Sequence, residues 1–438
     1  MNFAGIWQAW AVVALATVSQ LAQADIGYSK DGVDIELYGI LDAGVGSLEH
    51  SYGGSSVFAS TVNPYNLNSS PNSFNGIYSG GISMSRWGVK GGVDLGSGTK
   101  AFFKVESAID VNSGVISNNG QSIYNNTAQN GGLRTANGAS AIDGQLFSRV
   151  AYVGMSNTRF GSVEIGRTNN FSLEQVADYD PVQAALLFSP LGFSGGIGGG
   201  LGATENTRFD NSIKYENKIS DVDFGLQYKF AGSKADQSAG SAYVAMLGYS
   251  NGPLSIKGTY SQTRNTVAWA TQYSNVTAPD NNLQIENTSG YMLSGMYKIN
   301  PDATVKAGYE RAALTAPSNP NLTGIKSYYG LTLLDPAVNA SPEQDFGTFW
   351  MGGDYKFTPA FDLAVAYYNI NTYNSPEVGK QYRTQAVSVL ADYTWNKSFD
   401  SYAGVMALNY SGVGLNKKAP TLAYANNAMY GVGLRFKF

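Results

Sequence analysis

The chain has 438 residues and a formal charge of −4, with 14% charged side chains, 52 Gly, 29 Tyr, one His and no Cys. Without cysteine there is no disulfide framework, thiol catalysis or thiolate-bound metal. The lone His50 supplies neither a histidine metal cluster nor an ordinary Ser-His-Asp triad with recognisable partners, and the modest charge makes no case for nucleic acid or an anionic lipid surface.

From Ile6 to Leu21 the residues are mostly apolar or small, and Ala22-Gln23-Ala24 provides a small-x-small cleavage pattern before Asp25, so residues 1–24 are predicted to be a signal peptide. The stretch carries no basic n-region. A buried helix fits less well, because Trp7 to Ser19 lacks the polar stripe of a surface helix. Residues 25–438 are predicted to form one domain, and after Asp25 no apolar run reaches the roughly 20 residues of a transmembrane helix.

Period-two alternation then recurs along the chain. Candidate strands begin near 33, 77, 98, 147, 161, 205, 221, 240, 253, 288, 302, 345, 360, 384, 398 and 427, which gives the even number that a closed single-chain antiparallel barrel requires. Short connections at 94–98, 157–161, 219–221, 251–253, 300–302, 358–360 and 396–398 alternate with long ones at 47–76, 111–146, 168–204, 264–287, 312–344, 371–383 and 411–426, with 232–239 a brief eighth. One tight rim and one elaborate rim suit a transmembrane barrel. A soluble sandwich has no reason to sort its connections by parity.

The strand faces divide cleanly. Val222, Phe224, Leu226, Tyr228 and Phe230 share one side and Asp223, Gly225, Gln227 and Lys229 the other. Tyr228, Tyr249, Tyr260, Tyr297, Tyr309, Tyr355, Tyr393, Trp395 and Tyr410 fall near strand ends, where rings favour a membrane–water interface. Parity places Arg86, Lys104, Glu106 and Lys214 on the polar face; against lipid each Arg or Lys would cost about 2–4 kcal/mol at mid-membrane, so this face is predicted to line a wet lumen. Arg149 matches Ala151, Val153 and Met155 in phase: either a bulge shifts it or it lies above the apolar band. Arg167, at the end of its strand, has the same ambiguity.

The connection 168–204 stands apart. It carries Glu174, Asp178 and Asp180, the apolar run Ala184 to Phe188, and a glycine-rich stretch at 195–200. Folding inward would bury the apolar run and turn the acids toward the passage. The glycines do not open a strand-to-helix nucleotide motif and no Walker lysine follows, so no cofactor is predicted. Asp178 and Asp180 could form an acid/base pair, but charge lining a pore is the simpler reading, and no enzymatic activity is expected.

Residues 36–44 (ELYGILDAG), 85–91 (SRWGVKG) with 94–96 (DLG) and 102–106 (FFKVE), 147–154 (FSRVAYVG), 160–167 (FGSVEIGR) and the final strand ending in Phe438, in this order, resemble the general outer-membrane porins of Gram-negative bacteria, in particular the beta-proteobacterial type of Neisseria, Bordetella and Burkholderia. The resemblance implies a closed 16-stranded antiparallel transmembrane β-barrel with an inward-folded third loop, placed in the outer membrane as a homotrimer and passing ions and small hydrophilic solutes. It implies Arg86, Lys104, Arg149 and Arg167 as basic wall residues, Glu174, Asp178 and Asp180 as loop acids, and Phe438 as the signal read by the outer-membrane assembly machinery. One departure is the stretch from Asp25 to Gly32 ahead of the first strand. Two alternatives remain: a solute-specialised channel of the same fold, suggested by 184–188, and an exported β-rich adhesin or binding module whose apolar faces meet a second sheet.

Overall fold

The computed structural model describes residues 27–30, 32–49, 73–112, 114, 133–134, 146–193, 208–231, 241–264, 267–270, 282–284, 287–315, 344–373, 381–412 and 426–438. The predicted signal segment 1–24, His50 and the glycine-rich stretch 195–200 lie outside them.

Sixteen antiparallel strands form the wall: β1 (Val33–Leu48), β2 in two pieces (Phe74–Ser79 and Arg86–Gly96), β3 (Thr99–Ala108), β4 (Val150–Asn157), β5 (Gly161–Asn169), β6 (Arg208–Ile219), β7 (Val222–Lys229), β8 (Ala242–Asn251), β9 (Leu254–Thr263), β10 (Asn287–Asn300), β11 (Ala303–Thr315), β12 (Gln344–Thr358), β13 (Phe361–Tyr373), β14 (Gln381–Asn396), β15 (Phe399–Gly412) and β16 (Asn426–Lys437). The predicted strand starts agree with these to within a few residues, except that β2 is broken. Among the described residues between β5 and β6 the chain forms one α-helix, α1 (Phe171–Tyr179), and a short 3-10 turn at Pro190–Phe193. A small three-stranded sheet joins Leu133–Arg134, Val267–Ala270 and Asn282–Gln284.

The wall closes where β16 pairs with β1, from Ile40 opposite Lys437 to Leu48 opposite Met429. Phe438 extends the ladder: its carbonyl accepts from Gly39 N at 2.8 Å and its N–H donates to Gly39 O at 3.1 Å. Closure leaves no long unpaired edge. The residues ahead of β1 contribute too, because Gly27–Lys30 folds back along 33–36 as a hairpin.

The tight rim is built by local side-chain caps. Asn157 Oδ1 accepts from Arg159 N at 2.9 Å, Asn300 Oδ1 from Asp302 N at 2.8 Å, and Asn396 Oδ1 from Ser398 N at 2.8 Å, while Thr358 Oγ1 serves Phe361 N at 3.0 Å. Such bonds are why Asn and Thr mark turns.

Exposure along each strand reverses the order found in a soluble core. Leu226 and Leu247 are 62% and 63% exposed, whereas Lys229 is at 0% and Lys214 at 4%. The apolar face therefore looks outward into hydrocarbon and the charged face inward. Among the described residues the outward faces meet no second sheet, which the adhesin reading requires. Eight of the nine tyrosines and tryptophans singled out by sequence stand exposed on the outside; the Tyr410 side chain lies outside the described residues. Rings pair near the tight rim, with Tyr355 and Phe357 centroids 4.9 Å apart and Tyr393 and Trp395 also 4.9 Å apart.

The break in β2 has a definite cause. Residues 80–85 leave the wall between the two pieces, and Asp42, wholly buried on β1, accepts from Gly81 N at 3.0 Å, Ile82 N at 3.0 Å, Ser83 N at 2.7 Å and the Tyr402 hydroxyl at 2.5 Å. One carboxylate thus satisfies three backbone donors that the ladder has released.

Candidate functional site

The segment after β5 begins with a capped helix. Asn170 Oδ1 accepts from Ser172 N at 2.9 Å, and Phe171, Gln175, Val176 and Tyr179 bury one face. That face packs on inward side chains of the wall. Gln175 Nε2 donates to Lys257 O at 2.8 Å and Ser294 Oγ at 2.7 Å, and Trp350 Nε1 donates to Tyr179 O at 3.0 Å. The run Ala184 to Phe188 continues along the wall: Leu187 and Phe188 are fully buried, and Leu187 N donates to Gly81 O at 2.8 Å.

Asp180 departs from its expected place. It faces no passage: it is wholly buried, with Tyr368 Oη donating to Oδ1 at 2.5 Å, Ala184 N to Oδ2 at 2.7 Å, and Lys306 Nζ to its carbonyl at 3.2 Å. Burial pushes its carboxyl up, and the Tyr368 and Ala184 bonds oppose that rise. Its position ends α1 and starts the tight turn 181–184, so the carboxylate is used in holding the turn. Glu174 pairs with Lys214 Nζ at 2.5 Å; burial raises its carboxyl above the ordinary range against the pull of Lys214. Asp178 alone of the three is exposed, at 57%, with Lys257 Nζ 3.1 Å away.

Around the circumference from the docked helix lies the basic wall. Glu106 is its centre, bonded to Arg149 Nε and to Tyr38 Oη at 2.8 Å, with Lys104 Nζ at 3.7 Å and Arg86 Nε at 3.8 Å. Two of the three positive charges remain unneutralised by this carboxylate. The phase of Arg149 is decided by a bend at the mouth of β4. Its N–H donates to Glu106 O at 3.0 Å, and its side chain turns inward while Val153 and Met155 stay outside. Arg167 is turned in by a bulge between Gly166 and Thr168, where Gly166 takes φ 138°. It donates to Asp210 Oδ1 at 2.5 Å and Ser148 O at 2.9 Å.

Inward carboxylates that the sequence reading did not single out stand on β12 to β14. Asp354, Asp362 and Asp392 line a cavity of about 230 Å³ between the turn Pro181 to Gln183 and the wall. Arg435 Nη2 reaches Asp392 at 3.2 Å and its Nε reaches the buried Asp400 at 2.9 Å. Parity held the signal, since each of these acids precedes or follows an outward aromatic: Tyr355, Phe361 and Tyr393. Helix α1 was also legible in part, through Asn170 as cap and the spacing of Phe171, Gln175 and Tyr179.

Residues 9–413 match the Gram-negative porin family. An outer membrane porin protein of Bordetella pertussis is 30% identical over 253 residues, which is 54% of this chain and 56% of that protein, so the match spans little more than half of the relative's length. Among solved structures, an anion-selective porin from Comamonas acidovorans is 17% identical with a TM-score of 0.63, over 93% of this chain and 100% of the other. The trimer form of OmpT from Vibrio cholerae is 17% identical with a TM-score of 0.57, again over 93% and 100%.

Proposed function

Because the chain belongs to the Gram-negative porin family, we propose that it is a passive diffusion channel for ions and small hydrophilic solutes across the bacterial outer membrane. The observation that carries the reading is the course of residues 171–191 along the inward-facing residues from β7 round to β2, opposite a basic wall with uncompensated charge. A docked segment narrows the lumen without sealing it. Arg86, Lys104 and Arg149 on one side and Asp178 with the acids of β12 to β14 on the other set a transverse field, in which a hydrated polar solute aligns and an apolar one must displace ordered water. No bond is made or broken, so passage needs no catalytic group.

Stepwise conductance after reconstitution in planar bilayers is the test. Correctly folded protein that gives no steps overturns the proposal. A second reading, a channel specialised for one class of solute, is favoured by the cavity beneath Pro181 to Gln183; saturable, solute-dependent block of the current separates it from general diffusion.

We assign the native assembly as a homotrimer. Exposed outward side chains on β1 to β5 are aliphatic (Leu41, Val45, Ile77, Val153, Met155, Ile165), whereas the exposed tyrosines concentrate on β7 to β16. Among the described residues the strongly exposed rings of this sector are Tyr28 and Phe160, at its edge and in a turn, and a wall face so poor in exposed tyrosine suits contact with another copy better than contact with headgroups. Phe438 is assigned as the assembly signal, so its truncation should lower the amount of folded barrel more than the conductance of each channel.

A further inference from the structure

We infer that two inward glycines of the wall, Gly225 on β7 and Gly404 on β15, set the bore of the passage by bedding the two ends of the docked segment; the inference rests on the diffusion-channel reading. Helix α1 begins with Phe171, whose ring lies directly on Gly225, and the segment's far end carries Phe188, whose ring lies on Gly404. Both rings are buried, at 2% and 0% exposure. A Cβ at Gly404 would stand 2.9 Å from Phe188 Cε1, and a Cβ at Gly225 would fall inside the surface of the Phe171 ring. Carbon atoms rest about 3.5–4.0 Å apart, so the ring must retreat by about 1 Å at Gly404 and by somewhat more at Gly225. The wall is a closed ladder on both sides of each glycine, and the only way for the ring to go is toward the lumen.

Neither glycine is needed for its backbone angle, since neither has positive φ. Gly in a strand weakens it, and these positions face the inner, packed side, where Gly225 lies opposite Glu216 and Gly404 opposite the buried Leu390. Close approach of the docked rings accounts for them. Gly258 on β9 is the internal contrast: it faces outward, and its added Cβ would meet nothing nearer than Met292 O at 3.7 Å.

The two ends differ in what the ring carries with it. Lys214 Nζ lies 4.3 Å from the Phe171 ring centroid and bonds Glu174, so displacing this ring also moves a charge pair. Phe188 packs in an apolar cluster, with the Tyr402 ring edge-on and centroids 6.3 Å apart.

The test is single-channel recording on the full-length protein in planar bilayers with a salt gradient, for the wild type, Gly404→Ala, Gly225→Ala, Gly258→Ala and the double variant Gly404→Ala/Phe188→Leu. Gly404→Ala should give a smaller conductance step at unchanged reversal potential, and Gly225→Ala a smaller step with a shifted reversal potential. Gly258→Ala should match the wild type, and the double variant should regain the wild-type step. Unchanged steps in both inward variants, or an equal loss in Gly258→Ala, overturns the inference. If Gly404→Ala does not assemble, assembly and wild-type conductance of the double variant support it, and failure of the double variant overturns it. A wild type without conductance would instead sink the channel reading itself.

Discussion

The carboxylates of Asp180 and Glu106 are both buried, but they do opposite work. At Asp180 both oxygens are satisfied by the neutral donors Tyr368 Oη and Ala184 N, and the residue joins the docked segment to β13. Around Glu106 three cations crowd one acid, and Arg86 and Lys104 keep 26% and 33% of their side-chain surface. A fully satisfied, solvent-free carboxylate fixes geometry, whereas an unequal cluster reaching solvent sets a potential. Charge type alone does not separate them; the number and polarity of their partners does.

Asp180→Ala offers the strongest test of that difference. It removes the carboxylate that accepts from the Tyr368 hydroxyl and Ala184 N, and should destabilise the barrel by about 1–3 kcal/mol for each bond lost, seen as a lower unfolding temperature in detergent. Its open-channel current should become noisier as the turn 181–184 loosens. A stable variant with a simple change of ion preference would return Asp180 to the passage.

Glu106→Gln should move the reversal potential strongly toward anions, because Arg86, Lys104 and Arg149 lose their shared counter-charge. An unmoved potential would place this cluster away from the ion path. Arg86→Ala or Lys104→Ala should shift preference toward cations by a smaller amount, with the folded fraction unchanged in a heat-modifiable gel assay.

Asp178→Asn should shift preference modestly toward anions and change stability by no more than about 1 kcal/mol, as for an exposed ion pair. A pH titration of the reversal potential should show the smallest effect. Glu174 sits above the ordinary glutamate range through burial, so as pH falls it gains its proton earlier than an exposed glutamate. That step removes a negative charge beside Lys214, so the shift runs toward anions and should be smaller in Glu174→Gln.

Much of the wall was legible because its rules are local. Strand starts, the alternating connections and the inward parity of Arg86, Lys104, Glu106 and Lys214 all follow from a period of two and from turn-forming residues such as Asn157, Asn300 and Asn396. The same parity already contained Asp354, Asp362 and Asp392, which the sequence reading passed over in favour of the acids in the long connection. Arg149 and Arg167 were ambiguous for a good reason, since a bend or a single extra residue reverses every later side chain.

Alternation, turn chemistry and low charge were thus enough to determine a closed barrel with an apolar outside and a charged inside, because backbone pairing and side-chain direction depend on near neighbours. Only the tertiary structure decided the course of residues 171–191, the break in β2 around Asp42 and the burial of Asp180. Those depend on contacts such as Phe171 with Gly225, Leu187 with Gly81 and Tyr402 with Asp42. Each joins residues far apart in the chain, which are brought together by the folded wall and not by local sequence.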